Sequence, residues 1–226
     1  MCELSIVIPI YNEEHLVENY LPTIFNLPLD KEVIIVNDGS TDQTQTILEK
    51  LQAQYHFHLI NQITNQGKGA AIRHGLTQIT GRYFIICDAD AEYDPQDIIK
   101  LLAAAQNQTP LTAIYGSRFL TNRVWSFHYL VNSFLSQLTN LLFGCHLTDM
   151  ETCFKLIPAA ALPAMKLKGQ RFEIEPELTA QLLKAGYQIQ EIPITYARRS
   201  YAEGKKIKAR DGLSAIGALL QQKFTK

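Results

Sequence analysis

Leu4-Ser5-Ile6-Val7-Ile8-Pro9-Ile10, running into Tyr11-Asn12-Glu13-Glu14, is the stretch from which the fold can be read. An apolar run broken only by Ser5 and Pro9 reads as a strand buried on both faces, the pattern of a parallel sheet. It ends in a polar loop. Glu32 to Val36 repeats the device and delivers Asn37-Asp38-Gly39-Ser40-Thr41-Asp42, where Ser40 and Gln43 stand at capping-box spacing. A third unit ends at Asn65-Gln66-Gly67-Lys68-Gly69 ahead of a helix expected over Ala70 to Ile79. A fourth, Tyr83 to Cys87, opens into Asp88-Ala89-Asp90-Ala91-Glu92, after which Asp94-Pro95 reads as the start of another helix.

Strand, loop and helix recurring at about 25-residue intervals predict an α/β fold with a mostly parallel central sheet flanked by helices. Ligands of such sheets bind outside the carboxyl ends of the strands, where the four polar loops gather. Beyond Ala113 to Tyr115 lies an apolar and aromatic stretch, Val124 to Phe143, with Trp125, Phe127, Tyr129, Phe134 and Phe143. There follow a charged block at Asp149 to Lys155, a helix over Pro176 to Ala185, a strand over Ile189 to Tyr196, a basic loop and a last helix from Ala209.

The 226 residues are 46% hydrophobic and 19% charged, enough apolar mass for one core and too little charge for disorder. A single domain over 1–226 is expected. A net charge of -1 supplies no field to draw the chain onto nucleic acid. Cys2, Cys87, Cys145 and Cys153 form no CxxC pair and read as buried small hydrophobes of a reducing compartment. No signal peptide and no run of roughly 18 apolar residues is present, so a cytoplasmic chain without a transmembrane domain, peripheral at most, is expected.

Asp88 and Asp90, one residue apart at a strand end, are placed to hold a hard divalent cation that also bridges phosphates, with Glu92 near enough to assist. Asp38 can accept from a base or ribose, or merely order a turn; Tyr11 offers a ring for stacking. Gly67-Lys68-Gly69 brings amides toward a phosphate at a helix N-terminus but fits neither Walker A nor GxGxxG spacing. Asp149 and Glu151 are either candidate bases or structural partners of Lys155 or Arg171.

The ordered set Ser5 to Glu14, Asn37 to Asp42, Asn65 to Gly69 and Asp88-Ala89-Asp90 resembles the family-two glycosyltransferases of GT-A fold. Gly116-Ser117-Arg118, Asp149 to Lys155, Arg171 to Glu175 and Arg199 to Lys205 resemble their dolichol-phosphate mannosyltransferase-like branch. The resemblance implies a nucleotide-sugar half over about 1–117 and an acceptor half over about 118–226. Pro9, Tyr11, Glu13, Asp38 and Lys68 would hold the donor, GDP-mannose or UDP-glucose, and Asp88, Asp90 and Glu92 would hold Mg²⁺ or Mn²⁺. Where the mannosyltransferases tend to have Gln, this chain has Glu92. Arg118, Ser133, Arg199 and Lys205 would hold the acceptor phosphate, although an arginine expected in the aromatic stretch is replaced by His128, Tyr129 and Ser133.

The activity so implied is inverting transfer of a hexose to a polyprenyl phosphate at the membrane surface, with Arg118 and Arg199 clamping the acceptor and a separate membrane partner compatible with it. A hydroxyl acceptor would instead need a base, Asp149 or Glu151. A catalytically silent nucleotide-sugar-binding module is the reading from another class, against which the joint presence of Asp88, Asp90, Arg118 and Arg199 argues.

Overall fold

The computed structural model describes residues 2–120, 127–199 and 209–225. Strands β1 (Leu4–Ile10), β2 (Lys31–Asn37), β3 (His58–Asn61) and β4 (Tyr83–Ile86) alternate with helices α1 (Glu14–Phe25), α2 (Thr44–Gln52), α3 (Lys68–Leu76) and α4 (Asp97–Gln106). β5 (Thr112–Ser117), α5 (Phe127–Phe143), β6 (Lys155–Pro158), α6 (Ile174–Lys184), β7 (Gln188–Pro193) and α7 (Ala209–Phe224) follow. The seven strands lie in the order β3-β2-β1-β4-β6-β5-β7. All are parallel except β6, which runs antiparallel to both β4 and β5. The four expected loops therefore share one edge.

β6 is the strand the sequence pattern does not announce. Four residues are too few to show a period, and its fully buried Lys155 reads as polar. The other elements depart from expectation mainly at their ends. Helix α2 begins at Thr44 rather than at a Ser40 cap: Ser40 Oγ accepts from the Asn12 amide, and Asp42 Oδ1 accepts from the Thr44 amide. Asp94 and Pro95 form a turn that precedes α4. Strand β7 ends at Pro193, where the proline removes a ladder donor.

The main core joins both faces of the sheet, with Ile6, Ile8, Ile34, Ile85, Phe84 and Tyr115 fully enclosed. Each such aliphatic side chain contributes about 1.5–3 kcal/mol through removal from water. A smaller cluster, Leu135, Leu147, Met150, Ala215 and Leu219, seals α5 against α7. Outside it Leu130, Phe134 and Leu141 on α5 and Leu213, Leu220 and Phe224 on α7 are exposed. Of the aromatic stretch, Phe134 is thus a surface residue, Tyr129 and Phe143 are half-buried, and Trp125 lies outside the described residues. Cys87 and Cys153 are buried as expected, whereas Cys2 and Cys145 are half-buried; all four are free thiols. No helix among the described residues is long and apolar enough to cross a membrane.

Candidate active site

The loops after β1 and β2 are laced together before any ligand is considered. Asn12 adopts φ 49°, and its side-chain oxygen accepts from the Thr41 amide at 2.8 Å. The Glu13 and Glu14 amides donate to Thr44 Oγ1 and Asp42 Oδ2. Half-buried Pro9, Tyr11 and Glu13 are thereby fixed at the sheet edge. Asp38, 2% exposed, accepts from Asn65 Nδ2 and from the Gln66 and Gly67 amides at 2.7–3.0 Å. Its carboxylate orders the turn ahead of α3, not the 38–40 turn that the sequence suggested.

That turn needs its glycine. Gly67 sits at φ +100°, and a Cβ there would lie 2.4 Å from the Gln170 carbonyl oxygen. The same carbonyl accepts from the Ala70 amide. Of the Gly67-Lys68-Gly69 amides that the sequence offered to a phosphate, that of Gly67 is taken by Asp38, and the Lys68 side chain turns to the end of β4.

Lys68 Nζ donates to Asp88 Oδ2 at 2.8 Å and stands 3.1 Å from Glu175 Oε1. The other oxygen of Glu175 takes a short hydrogen bond from Lys155, which lies over the Tyr115 ring. Burial opposes ionisation of Glu175, yet Lys155 and Lys68 outweigh it and hold the carboxyl below its ordinary range. Asp90 Oδ2 lies 3.6 Å from Arg199, whose other terminal nitrogen reaches Glu13 Oε2 at 3.4 Å. Burial, then the Asp88 and Glu92 charges, push the Asp90 carboxyl up to about 7, against the Glu92 amide and Arg199.

Glu92 is buried and its two oxygens are engaged from the segment after β7: Tyr196 donates a short hydrogen bond to Oε2, and the Arg199 amide donates to Oε1 at 2.9 Å. With the Ala197 amide on its carbonyl oxygen, it fastens the segment after β7 across the site. Among the described residues no three His, Cys, Asp or Glu side chains are grouped to hold a metal. Two carboxylates completed by phosphate oxygens are nevertheless the usual provision for a cation that travels with a diphosphate. The donor set fits a divalent cation on Asp88 and Asp90.

On the other side Arg118 forms a two-pronged pair with fully buried Asp149, Nε to Oδ2 and a terminal nitrogen to Oδ1, both at 2.7 Å. Its guanidinium also lies over the rings of Tyr196 and Phe119. Asp149 is delivered by Glu191 of β7, which accepts from the Thr148 and Asp149 amides. Asp149 is thus structural, as one reading allowed, but its partner is Arg118 rather than Lys155 or Arg171. Glu151 Oε1 is shut off from solvent without a hydrogen-bond partner, and burial, with Glu175 adding to it and Lys155 opposing it, pushes the carboxyl up to about 7. Ser133 is half-buried on α5, and Lys205 lies outside the described residues.

The structure so brings together Glu13, Lys68, Asp88, Asp90 and Arg199, and links them through Glu92 and Tyr196 to Arg118 and Asp149. Tyr196 and Glu191 escaped the sequence reading as site residues, Lys155 entered it only as a possible partner of Asp149 or Glu151, and Glu175 only as part of a resembling block. A signal existed for Lys155: a lysine inside Phe154-Lys155-Leu156-Ile157 must find a buried partner if that run is core.

A family model for glycosyl transferase family 2 matches residues 5–163. A dolichyl-phosphate beta-glucosyltransferase of Saccharomyces cerevisiae is 30% identical over 85% of this chain and 66% of its own length. A dolichol-phosphate mannosyltransferase of Pyrococcus furiosus is 26% identical over 90% of this chain and 59% of its own. The chain thus spans about two thirds or less of these relatives. Glucosyl-3-phosphoglycerate synthase from Mycobacterium tuberculosis, crystallised with Mn²⁺, UDP and phosphoglyceric acid, superposes with a TM-score of 0.75 over 100% of this chain and 80% of that one, at 16% identity. The fold is of the GT-A glycosyltransferase type, and with the family match over most of its length the chain belongs to glycosyl transferase family 2.

Proposed function

We propose that the chain transfers a hexose, with inversion, from a GDP- or UDP-sugar to a polyprenyl phosphate. The observation that carries this reading is the grouping of a carboxylate pair at the end of β4 with two arginines, Arg199 beside Asp90 and Arg118 on the other side of the Tyr196 ring. The curated relatives, which are dolichyl-phosphate hexosyltransferases by name, support it.

The first half of the chain, through β5, then holds the donor and the remainder the acceptor. Pro9, Tyr11 and Glu13 face the nucleoside, and Asp38 acts on it through the 65–67 turn. Asp88 and Asp90 would hold Mg²⁺ or Mn²⁺, which when bound would supply charge neutralisation for the departing diphosphate. Lys68, fixed beside Asp88, adds a cation on the same side. Glu92 serves by anchoring Tyr196 and Arg199. Arg118, braced by Asp149, and Arg199 hold the acceptor phosphate so that one of its oxygens attacks the anomeric carbon as the bond to the diphosphate breaks. Ser133 and Lys205 assist there. A phosphate oxygen is already anionic, so no base is required.

A hydroxyl acceptor is the second reading, and the raised Glu151 carboxyl is what favours it: a group half-ionised near neutrality can take a proton. Asp149 cannot serve while both its oxygens hold Arg118. The exposed apolar side chains of α5 and α7 suit a peripheral position at the membrane, where a lipid acceptor resides. Incubation with Mn²⁺, radiolabelled GDP-mannose or UDP-glucose, and either a short polyprenyl phosphate or a free saccharide tests the assignment. Label in an acid-labile lipid is expected; label in the saccharide alone would overturn it.

A further inference from the structure

Lys68 is placed between two acids that are not equivalent. Its ammonium is hydrogen-bonded to Asp88 Oδ2, while Glu175 Oε1, only 3.1 Å away, is buried with no hydrogen bond of its own. Glu175 is itself immobile, since Oε2 is held by Lys155, a side chain fully enclosed between β6 and α6. That oxygen already feels the ammonium's charge, and what it lacks is an N–H aligned toward it. A small rotation of the ammonium supplies that donor.

We propose that Lys68 is a resident stand-in for the divalent cation at Asp88, and that Glu175 is the second seat onto which it moves when a cation takes that carboxylate. The inference rests on the donor-site reading above and deepens it. While the site is empty of metal, Lys68 on Asp88 and Arg199 near Asp90 offset the repulsion of two neighbouring carboxylates. A dication arriving at the pair displaces a like charge, and without an alternative partner the lysine would be left buried and unpaired, which is strongly unfavourable. Glu175 removes that penalty. The displaced ammonium stays within the site, beside the incoming diphosphate, so the charge that guarded the empty cleft becomes part of the leaving-group environment.

Two consequences have opposite sign. Lys68→Met removes a competitor for Asp88, so Mn²⁺ binding without nucleotide, followed by loss of the free-ion electron paramagnetic resonance signal, should tighten about tenfold, as when a binding-competent state is freed from a competing one. With saturating Mn²⁺ the same variant should bind GDP or UDP about tenfold more weakly by calorimetry, for want of the released cation. Glu175→Gln removes the second seat and should weaken Mn²⁺ binding severalfold more in the Lys68 background than in the Lys68→Met background; a plain field effect of the lost charge would be equal in both. Where Glu175→Gln fails to fold for lack of a partner to Lys155, the combination with Lys155→Met removes both charges of that pair and carries the comparison.

Absence of Mn²⁺ binding by the wild-type protein, with GDP or UDP present as well as without, overturns the metal reading and this inference with it. Binding by the wild type that Lys68→Met leaves unchanged or weakens overturns the inference alone. An equal effect of the Glu175 substitution in both backgrounds overturns the two-seat exchange.

Discussion

The two sides of the cleft are built differently. On the side of β1 to β4 each residue of the site lies within a few positions of a strand end, and short loops are tied by side chains capping backbone amides, as with Asp38, Asp42 and Asn12. On the side of β5, β7 and α5 the site is assembled by carboxylates that meet their donors across long separations: Asp149 with the Arg118 guanidinium, Glu92 with the Arg199 amide, Glu191 with the Asp149 amide. On the first side, Asp38 apart, the ties that hold the loops are not the groups proposed to act on the donor. The second is held in shape by the groups proposed to bind the acceptor, so chemistry and stability there are not separable.

Substitution should therefore affect activity alone on the first side and both properties on the second. The largest effect is expected for Asp90→Ala, with turnover falling about a thousandfold or more through loss of leaving-group neutralisation. Its melting temperature should hold or rise, because a carboxylate pressed against Asp88 and Glu92 has been removed. Thermal denaturation beside a sugar-transfer assay checks both; a large loss of stability would put Asp90 in the framework instead.

Asp149→Ala should show the contrary behaviour. It strands the buried Arg118 guanidinium and should destabilise the fold by about 3–5 kcal/mol, measured by urea denaturation, in addition to lowering activity. A variant as stable as the wild type would show that the second side does not depend on its charged pair.

Arg199→Ala comes next in size. An acceptor KM raised about ten- to a hundredfold, with donor Kd little changed, is expected from loss of a phosphate-binding guanidinium. A fall in donor affinity would instead assign Arg199 to the first side, where its contacts with Glu13 and Asp90 already reach.

The smallest effect concerns Glu151. Its carboxyl titrates higher in the folded chain than in the unfolded one, so between about 4 and 7 the native state holds the extra proton. The stability this supplies is full below the unfolded value and is lost as pH rises through the folded one. Glu151→Gln should flatten the fall in melting temperature from pH 5 to pH 8. An unchanged slope would show that Glu151 keeps its proton, or loses it, alike in both states.

How far the site could be read from sequence follows the same division. Asp88, Asp90 and the loop residues Tyr11, Glu13 and Asp38 were legible because a buried parallel strand must end where its polar loop begins, and the sheet's geometry gathers those ends at one edge. The role of Glu92 was not, because its distance from Asp90 says nothing about the Tyr196 hydroxyl more than a hundred residues later. Helix α2 starts later than its sequence suggests because Ser40, the expected cap, turns instead to the Asn12 amide of a neighbouring loop.

By itself the sequence determined the alternating α/β architecture, the edge at which ligands gather and the residue types available there, since apolar periodicity and strand-end polarity are local properties of the chain. Only the tertiary structure decided the reversed strand β6, the pairing of Arg118 with Asp149, and the string from Asp88 through Lys68 and Glu175 to Lys155. A buried charge must find its opposite wherever the packed chain brings one. That partner is chosen by the three-dimensional arrangement of desolvated groups, which no spacing along the chain encodes.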